Sequence, residues 1–238
     1  MNTKNKNGDK KRNDTIRLIL LLAIVVIMIG VTIALIPQIK DLLTQEGREA
    51  LKERIDSFGF WGILVFIGIQ ILQIVIAFIP GEPIEIVAGI LYGMWGGLAA
   101  SIIGILIGTI SVFYLVKLLG KPFVNTFFGE EKLNKFRILN DERKLELLTF
   151  ILFLIPGTPK DILIYVVSLT KIKASRFFII ATLSRLPSVA SSVLVGATLG
   201  RGNFILSIVI FLVTGAIGVV GIMFNDKLMK RFRTSDKE

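Results

Sequence analysis

"FIPGEPIEI", Phe78 to Ile86, sets two prolines, a glycine and two glutamates inside a long apolar run. Seventy-six positions on, "LIPGTPKDI", Leu154 to Ile162, repeats the arrangement with Asp161 in the place of Glu85. Proline ends a helix and glycine lets the chain turn. Pro80, Gly81 and Pro83, and again Pro156, Gly157 and Pro159, are therefore expected to form two tight reversals. A carboxylate beside such a turn, in sequence apolar enough for a membrane, needs a partner, a water-filled cavity or a task.

Of the 238 residues, 53% are hydrophobic, and the mean hydropathy is +0.73. Soluble domains rarely carry so much apolar surface, and here it falls in blocks long enough to cross a bilayer. There is no cysteine, which excludes disulfides, thiol nucleophiles and thiolate metal sites. There is no histidine, so proton chemistry falls to Glu, Asp, Lys or Tyr. The histidine on which membrane phosphatases and serine proteases generally rely is missing, and no catalytic residue, metal or cofactor is expected. A metal site built from Glu82, Glu85 and Asp161 has a spacing that equally describes two helix starts. The net charge of +10 does not point to nucleic acid, because the basic residues sit in short segments between apolar blocks.

Residues 1–17 form a basic tail with Lys4, Lys6, Lys10, Lys11, Arg12 and Arg17. In 18–37, only Thr32 is polar before Pro37, the pattern of an uncleaved transmembrane anchor; the apolar stretch is long for a signal peptide and lacks its cleavage site. Residues 38–57 alternate at helical spacing and read either as an interfacial amphipathic helix or as a solvated connector. The core, 58–200, carries both motifs. Its block from Phe58 to Val116 is interrupted only by the first of them. From Ile86 to Val116 there are 31 uncharged residues, about 46 Å as one helix against a bilayer core of about 30 Å. A half-helix followed by a full span, divided near Gly96–Gly97, fits better. Around the second motif, 147–155 and 162–170 are each about half a bilayer long, which makes a re-entrant hairpin. A last transmembrane helix at 201–226 and a basic tail at 227–238 complete the chain.

The expected fold is an all-α polytopic membrane protein with about four full transmembrane helices and two oppositely oriented re-entrant helical hairpins, around 80–85 and 156–161. Such hairpins form an inverted repeat. With both termini inside, 21 basic residues lie inside and five outside (Lys40, Arg48, Lys52, Arg54 and Arg201), as the positive-inside rule asks. The first hairpin keeps an alternative, because 58–79 is long enough to span by itself.

In this context the motif Ile-Pro-Gly-x-Pro-x-acid-Ile resembles that of the DedA superfamily, also called SNARE-associated or VTT-domain membrane proteins. The resemblance covers about 58–200 and rests on four features: "PGEPIEIVAGILYG", the Phe113/Lys117 pair, "PGTPKDILIY", and "RLP" at Arg185–Pro187. It implies movement of a phosphate-bearing lipid, phospholipid or polyprenyl phosphate between leaflets of the cell membrane, in some members coupled to protons. Many relatives carry a basic residue shortly before the second Pro-x-x-Pro. Here Phe153–Ile155 is apolar, so Lys160 or Arg185 has to serve a headgroup instead.

Glu82, Glu85, Lys160, Asp161 and Arg185 are the candidate substrate- or proton-binding residues. Helix capping competes for the acids: Pro83 and Pro159 suit the first helical position, Thr158 suits the N-cap, and Glu85 and Asp161 suit the third. The same geometry aims two half-helix N-termini at one point, an anion site to which Arg185 adds a planar fork. Arg185 can equally be a structural partner of Asp161, Glu85 or Glu82. Phe113 and Lys117 read as an interface anchor. Gly104/Gly108 and Gly196/Gly200 have the spacing of close helix packing. The expected partners are membrane lipids with phosphate headgroups, with protons and a second copy of the chain left open. A proton-coupled antiporter of a small solute and a non-transporting scaffold remain as alternatives.

The topology is testable because single cysteines can be introduced into a cysteine-free chain. Cysteines replacing Gln45 and Asn203 should label from outside intact cells, and those replacing Asn134 and Ser175 should be protected. Outside labelling at 175 with protection at 203 contradicts the inverted repeat.

Overall fold

The computed structural model describes residues 44–77, 79–128, 142–155 and 160–234. The anchor expected at 18–37 and the turn residues Pro156, Gly157, Thr158 and Pro159 lie outside these. The described residues form six helices and no strand: α1 (Gln45–Ile76), α2 (Glu82–Phe128), α3 (Glu142–Leu154), α4 (Lys160–Ser168), α5 (Ala174–Gly200) and α6 (Phe204–Thr234). The chain divides into two units, 1–51 and 52–238. In the first, Thr44 caps the start of α1 by accepting the Gly47 N–H at 3.1 Å. Ser57–Ile76, Glu82–Asn125 and Ala174–Gly200 are long and apolar enough to cross a membrane; Leu145–Leu154 and Phe204–Val220 are shorter apolar helices. The tail residues 227–234 continue α6 as helix.

The second unit is organised by glycines. In a straight helix Ala88 and Gly97 would be about 13 Å apart along the axis. In α2, a Cβ on Gly97 would lie 2.7 Å from the Ala88 carbonyl oxygen. The chain reverses at Gly93, whose φ of +69° is costly for a residue with a Cβ. Residues 82–92 and 94–119 are thus antiparallel arms. The sequence suggests a division at Gly96–Gly97, but the turn comes three residues earlier. Gly93 takes the positive φ, and Gly97 supplies the flat surface on which the arms meet.

Gly104 and Gly108 seat α1 against the 94–119 arm. A Cβ on Gly104 would lie 2.7 Å from the Gln70 side chain, and one on Gly108 2.9 Å from Ile74. Both partners advance by four residues, so these helices run parallel. The 82–92 arm returns to the level where apolar α1 begins, with Tyr92 edge-on to Phe66 at 5.8 Å. Residues 60–92 are therefore a helical hairpin. Its tip, at 77–81, lies roughly 21 Å down an arm about 38 Å long.

The return arm is pinned to the second half of α5. A Cβ on Gly196 would lie 1.9 Å from the Ile86 carbonyl oxygen, and one on Gly89 2.0 Å from that of Val193. Along the first half of α5 lies α3, with Glu146 paired to Arg176 at 3.0 Å and Phe153 against Phe177 at 6.1 Å between ring centroids. At the start of α4, Lys160 reaches Ser188. Beyond its end, the Thr170 carbonyl accepts Lys117 Nζ at 3.0 Å. Two helical pairs thus approach the middle of α5 from its opposite ends. Phe113 is buried against Phe177 and Phe178, so it packs the core and is not the interface anchor that its position suggested. On its far side α6 leaves Ile205, Ile208, Phe211 and Leu212 exposed, and Thr198 and Ser207 join it to α5 at 2.6 Å.

Gly196→Ala should force the α2–α5 crossing apart and lower stability by about 1–3 kcal/mol, the usual cost of overpacking. Gly215→Ala, with nothing within 4 Å of the added methyl, should cost nothing. Thermal unfolding of the two purified variants in detergent checks this, and equal losses contradict the close crossing.

Candidate binding site at two helix starts

Helix starts converge on the middle of α5. The backbone N–H of Glu85 bonds to Gly81 O at 3.0 Å, opening α2 at the first tip, and α4 opens at Lys160. First-turn amides have no partner within their own helix, so each start presents partial positive charge. Between them is a cavity of about 340 Å³. Its lining includes all five ionisable residues singled out from the sequence: Glu82, Glu85, Lys160, Asp161 and Arg185. Pro80 and Glu82 are exposed at its rim; Glu85 is buried.

Arg185 is 5% exposed. Its Nη1 meets Asp161 Oδ1 at 2.8 Å, and its guanidinium lies over the Phe153 ring at 4.9 Å, a cation–π contact strengthened by desolvation. Phe153, from the stretch with no basic residue of its own, thereby supports the basic group contributed by α5. The second oxygen of Asp161 is held from the other hairpin: Gln73 Nε2 donates to Oδ2 at 2.7 Å and to the Ile79 carbonyl at 2.6 Å. The Gln73 Oε1 accepts from Gln70 Nε2 at 3.3 Å. Tyr165 donates its hydroxyl proton to the Val75 carbonyl, a second bond between the hairpins. Lys160 Nζ donates to Ser188 Oγ at 2.7 Å, and the Ser192 hydroxyl faces Glu85.

Of the structural partners open to Arg185, Asp161 is the one chosen. Both oxygens of that carboxylate are engaged across the cavity, so among the described residues its bonds are not those of a helix cap. Arg185 Nε and Nη2 are buried with no hydrogen-bond partner among the described residues. Those two N–H groups point the same way and form one edge of the guanidinium fork. Arg185 belongs to the cavity lining, but neither Nε nor Nη2 has accessible surface there; once uncovered, such an edge can hold an oxyanion through two parallel hydrogen bonds. Among the described residues no three acids come together to hold a metal ion.

Gln70 and Gln73 escaped the reading of 58–116 as a block broken only by the motif. Their signal was present: two amides three residues apart, hence on one helix face, in a stretch otherwise apolar. Ser188 and Ser192 had no comparable signal, because serine on a helix commonly bonds to its own backbone.

Compared with known families, residues 79–198 match the one described as VTT domain, just over half of the chain. No curated protein and no solved structure matches it.

Asp161→Asn leaves a buried guanidinium without its counter-charge and should lower thermal stability, by up to about 3–5 kcal/mol for a buried pair. Glu82→Gln, at the exposed rim, should stay within about 0.5 kcal/mol of wild type. If both variants melt like wild type, Arg185 does not depend on Asp161.

Proposed function

The chain belongs to the VTT-domain family, the domain that defines the DedA multi-pass membrane proteins, and on that footing we propose that it translocates a phosphate-bearing lipid across the cell membrane. The headgroup passes through the cavity at the hairpin tips, and the acyl chains stay outside among the lipid-facing helices. The two hairpins are re-entrant in this reading, entering from opposite faces. The described residues next to the two motifs, Gly81 on one side and Ile155 and Lys160 on the other, end partway along the 94–119 arm and α5, which supports it. So do Phe60, Trp61 and Trp95, exposed beside the end where the first hairpin begins and returns, as aromatic residues are at a bilayer interface.

One observation carries the proposal: Arg185, a buried cation whose Nε and Nη2 have no hydrogen-bond partner among the described residues, lines a cavity at two helix starts. Helix N-termini and a guanidinium fork are both complementary to phosphate. Charge balance adds a second argument. Three carboxylates face two cations in the lining, so an arriving anion adds to an excess of negative charge. Uptake of a proton with the headgroup offsets that excess. A proton-coupled antiporter of a small anionic solute would use the same acids, and it differs in needing no lipid.

The test is movement of a headgroup-tagged phospholipid in liposomes containing only the purified chain. Arg185→Lys keeps the charge but loses the planar edge. It should slow transport about ten- to a hundredfold, the worth of one charge-assisted hydrogen bond at about 1.5–3 kcal/mol. Arg185→Gln combined with Asp161→Asn should fold yet stay inactive. Activity recovered in that neutral pair reduces Arg185 to charge balance, and solute-driven proton flux without lipid movement supports the antiporter.

A further inference from the structure

Pro187 stands inside α5 and has no N–H to give the Leu183 carbonyl, so the helix lacks one backbone bond there. The serines around it bond to backbone carbonyls: Ser184 to Ile180 at 2.6 Å, Ser188 to Arg185 at 3.0 Å and Ser191 to Ser188 at 2.7 Å. Proline and such side-chain bonds are where helices bend. The partners of α5 change at the same point. Before Pro187, Arg176 holds Glu146, Phe177 meets Phe153 and Arg185 holds Asp161, so this half goes with α3 and α4. After it, Ser192 faces Glu85, and Val193, Gly196 and Gly200 lie against the 82–92 arm. The 94–119 arm and α1 go with the first half. Phe113 packs on Phe177, Lys117 bonds to the Thr170 carbonyl, and Gln73 and the Val75 carbonyl bond to α4.

We infer that the 82–92 arm and the second half of α5 tilt as one body against the first half and the helices bound to it, with Pro187 as the pivot, opening and closing the cavity between Glu85 and the Arg185–Asp161 pair. The chain joins the two bodies at three places, and each has a backbone suited to turning. Pro187 is one. Gly93, with φ of +69°, is the second. At the third, α1 ends at Ala77, the one described residue other than glycine with a positive φ, at +60°. Three contacts that cross between the bodies sit beside these joints: Lys160–Ser188 next to Pro187, and Phe66–Tyr92 and Gly97–Ala88 next to Gly93. Between the joints lies the cavity. Among the described residues no hydrogen bond or ion pair crosses it from Glu82 or Glu85 to Lys160, Asp161 or Arg185. Glu85 therefore moves with one body and the Arg185–Asp161 pair with the other. The motion does not depend on whether the cavity takes a lipid headgroup or a solute.

The experiment measures distances between pairs of spin labels by double electron–electron resonance, on the full-length chain in liposomes; the absence of cysteine lets two be introduced for labelling. Val87→Cys with Leu147→Cys places one label on each body, and Leu147→Cys with Leu183→Cys places both on the first; all three positions are exposed. With Pro187 in place, the Val87–Leu147 distribution should be the wider of the two, with a second population. Pro187→Ala restores the N–H that Leu183 lacks. It should cut that second population about fivefold, the worth of one backbone hydrogen bond, and leave the Leu147–Leu183 distribution unchanged. Pro187→Leu also restores the N–H and stands in if the alanine variant does not fold. Equal widths for the two pairs, a Val87–Leu147 distribution that ignores Pro187→Ala, or equal narrowing of both pairs each overturns the pivot. Lipid movement plays no part in this readout, so the pivot and the proposed substrate stand or fall separately.

Discussion

Arg185 carries a full charge at the midpoint of α5, where nearly all of its side chain is withdrawn from solvent. Withdrawing an ion from water costs several kcal/mol, recovered only if opposite charge and hydrogen bonds are brought to it in good geometry. Asp161 brings the charge, and Phe153 gives the guanidinium a ring face. Both come from the helical pair that borders the second motif. The helix that leads into the first motif, α1, brings the remaining ties, through Gln73 and the Val75 carbonyl. One buried cation on α5 thus gathers side chains from three other helices, α1, α3 and α4.

The meeting is made possible by absent side chains. Gly89 and Gly196 let the return arm and α5 touch backbone to backbone, while Gly104 and Gly108 let α1 settle on the 94–119 arm. A methyl at any of these positions would overlap its neighbour or displace it, and would lift the first tip away from Asp161. Packing between helices and electrostatics within the cavity are therefore one problem. The distance at which Gln73 meets Asp161 depends on contacts more than a dozen residues away along the chain.

The same arrangement relates structure to transport. Helix starts aimed at a common point offer N–H groups that no lipid could otherwise satisfy, and prolines in both motifs make such starts unavoidable. In the proposed function such a site would bind an anion by groups already in place. It also holds acids whose charge an anion would have to contend with, so in the proposed function binding and proton movement would share one set of residues.

Much of this was legible in the residues themselves. Proline, glycine and acid recurring at a fixed interval marked the two places where ionisable groups stand beside helix starts. The blocks of apolar sequence announced helices, and all five ionisable residues selected on that basis line the cavity. These features are local: they follow from the backbone chemistry of proline and glycine and from the cost of charge in apolar surroundings. Only the tertiary structure decided that Arg185 pairs with Asp161, that Phe153 supports it, and that Gln73 takes the second oxygen. It also placed the reversal at Gly93 instead of Gly96–Gly97. Pairing between residues 24 or 88 positions apart depends on how helices cross. Helix crossing depends on the fit of whole surfaces, which no single stretch of sequence contains.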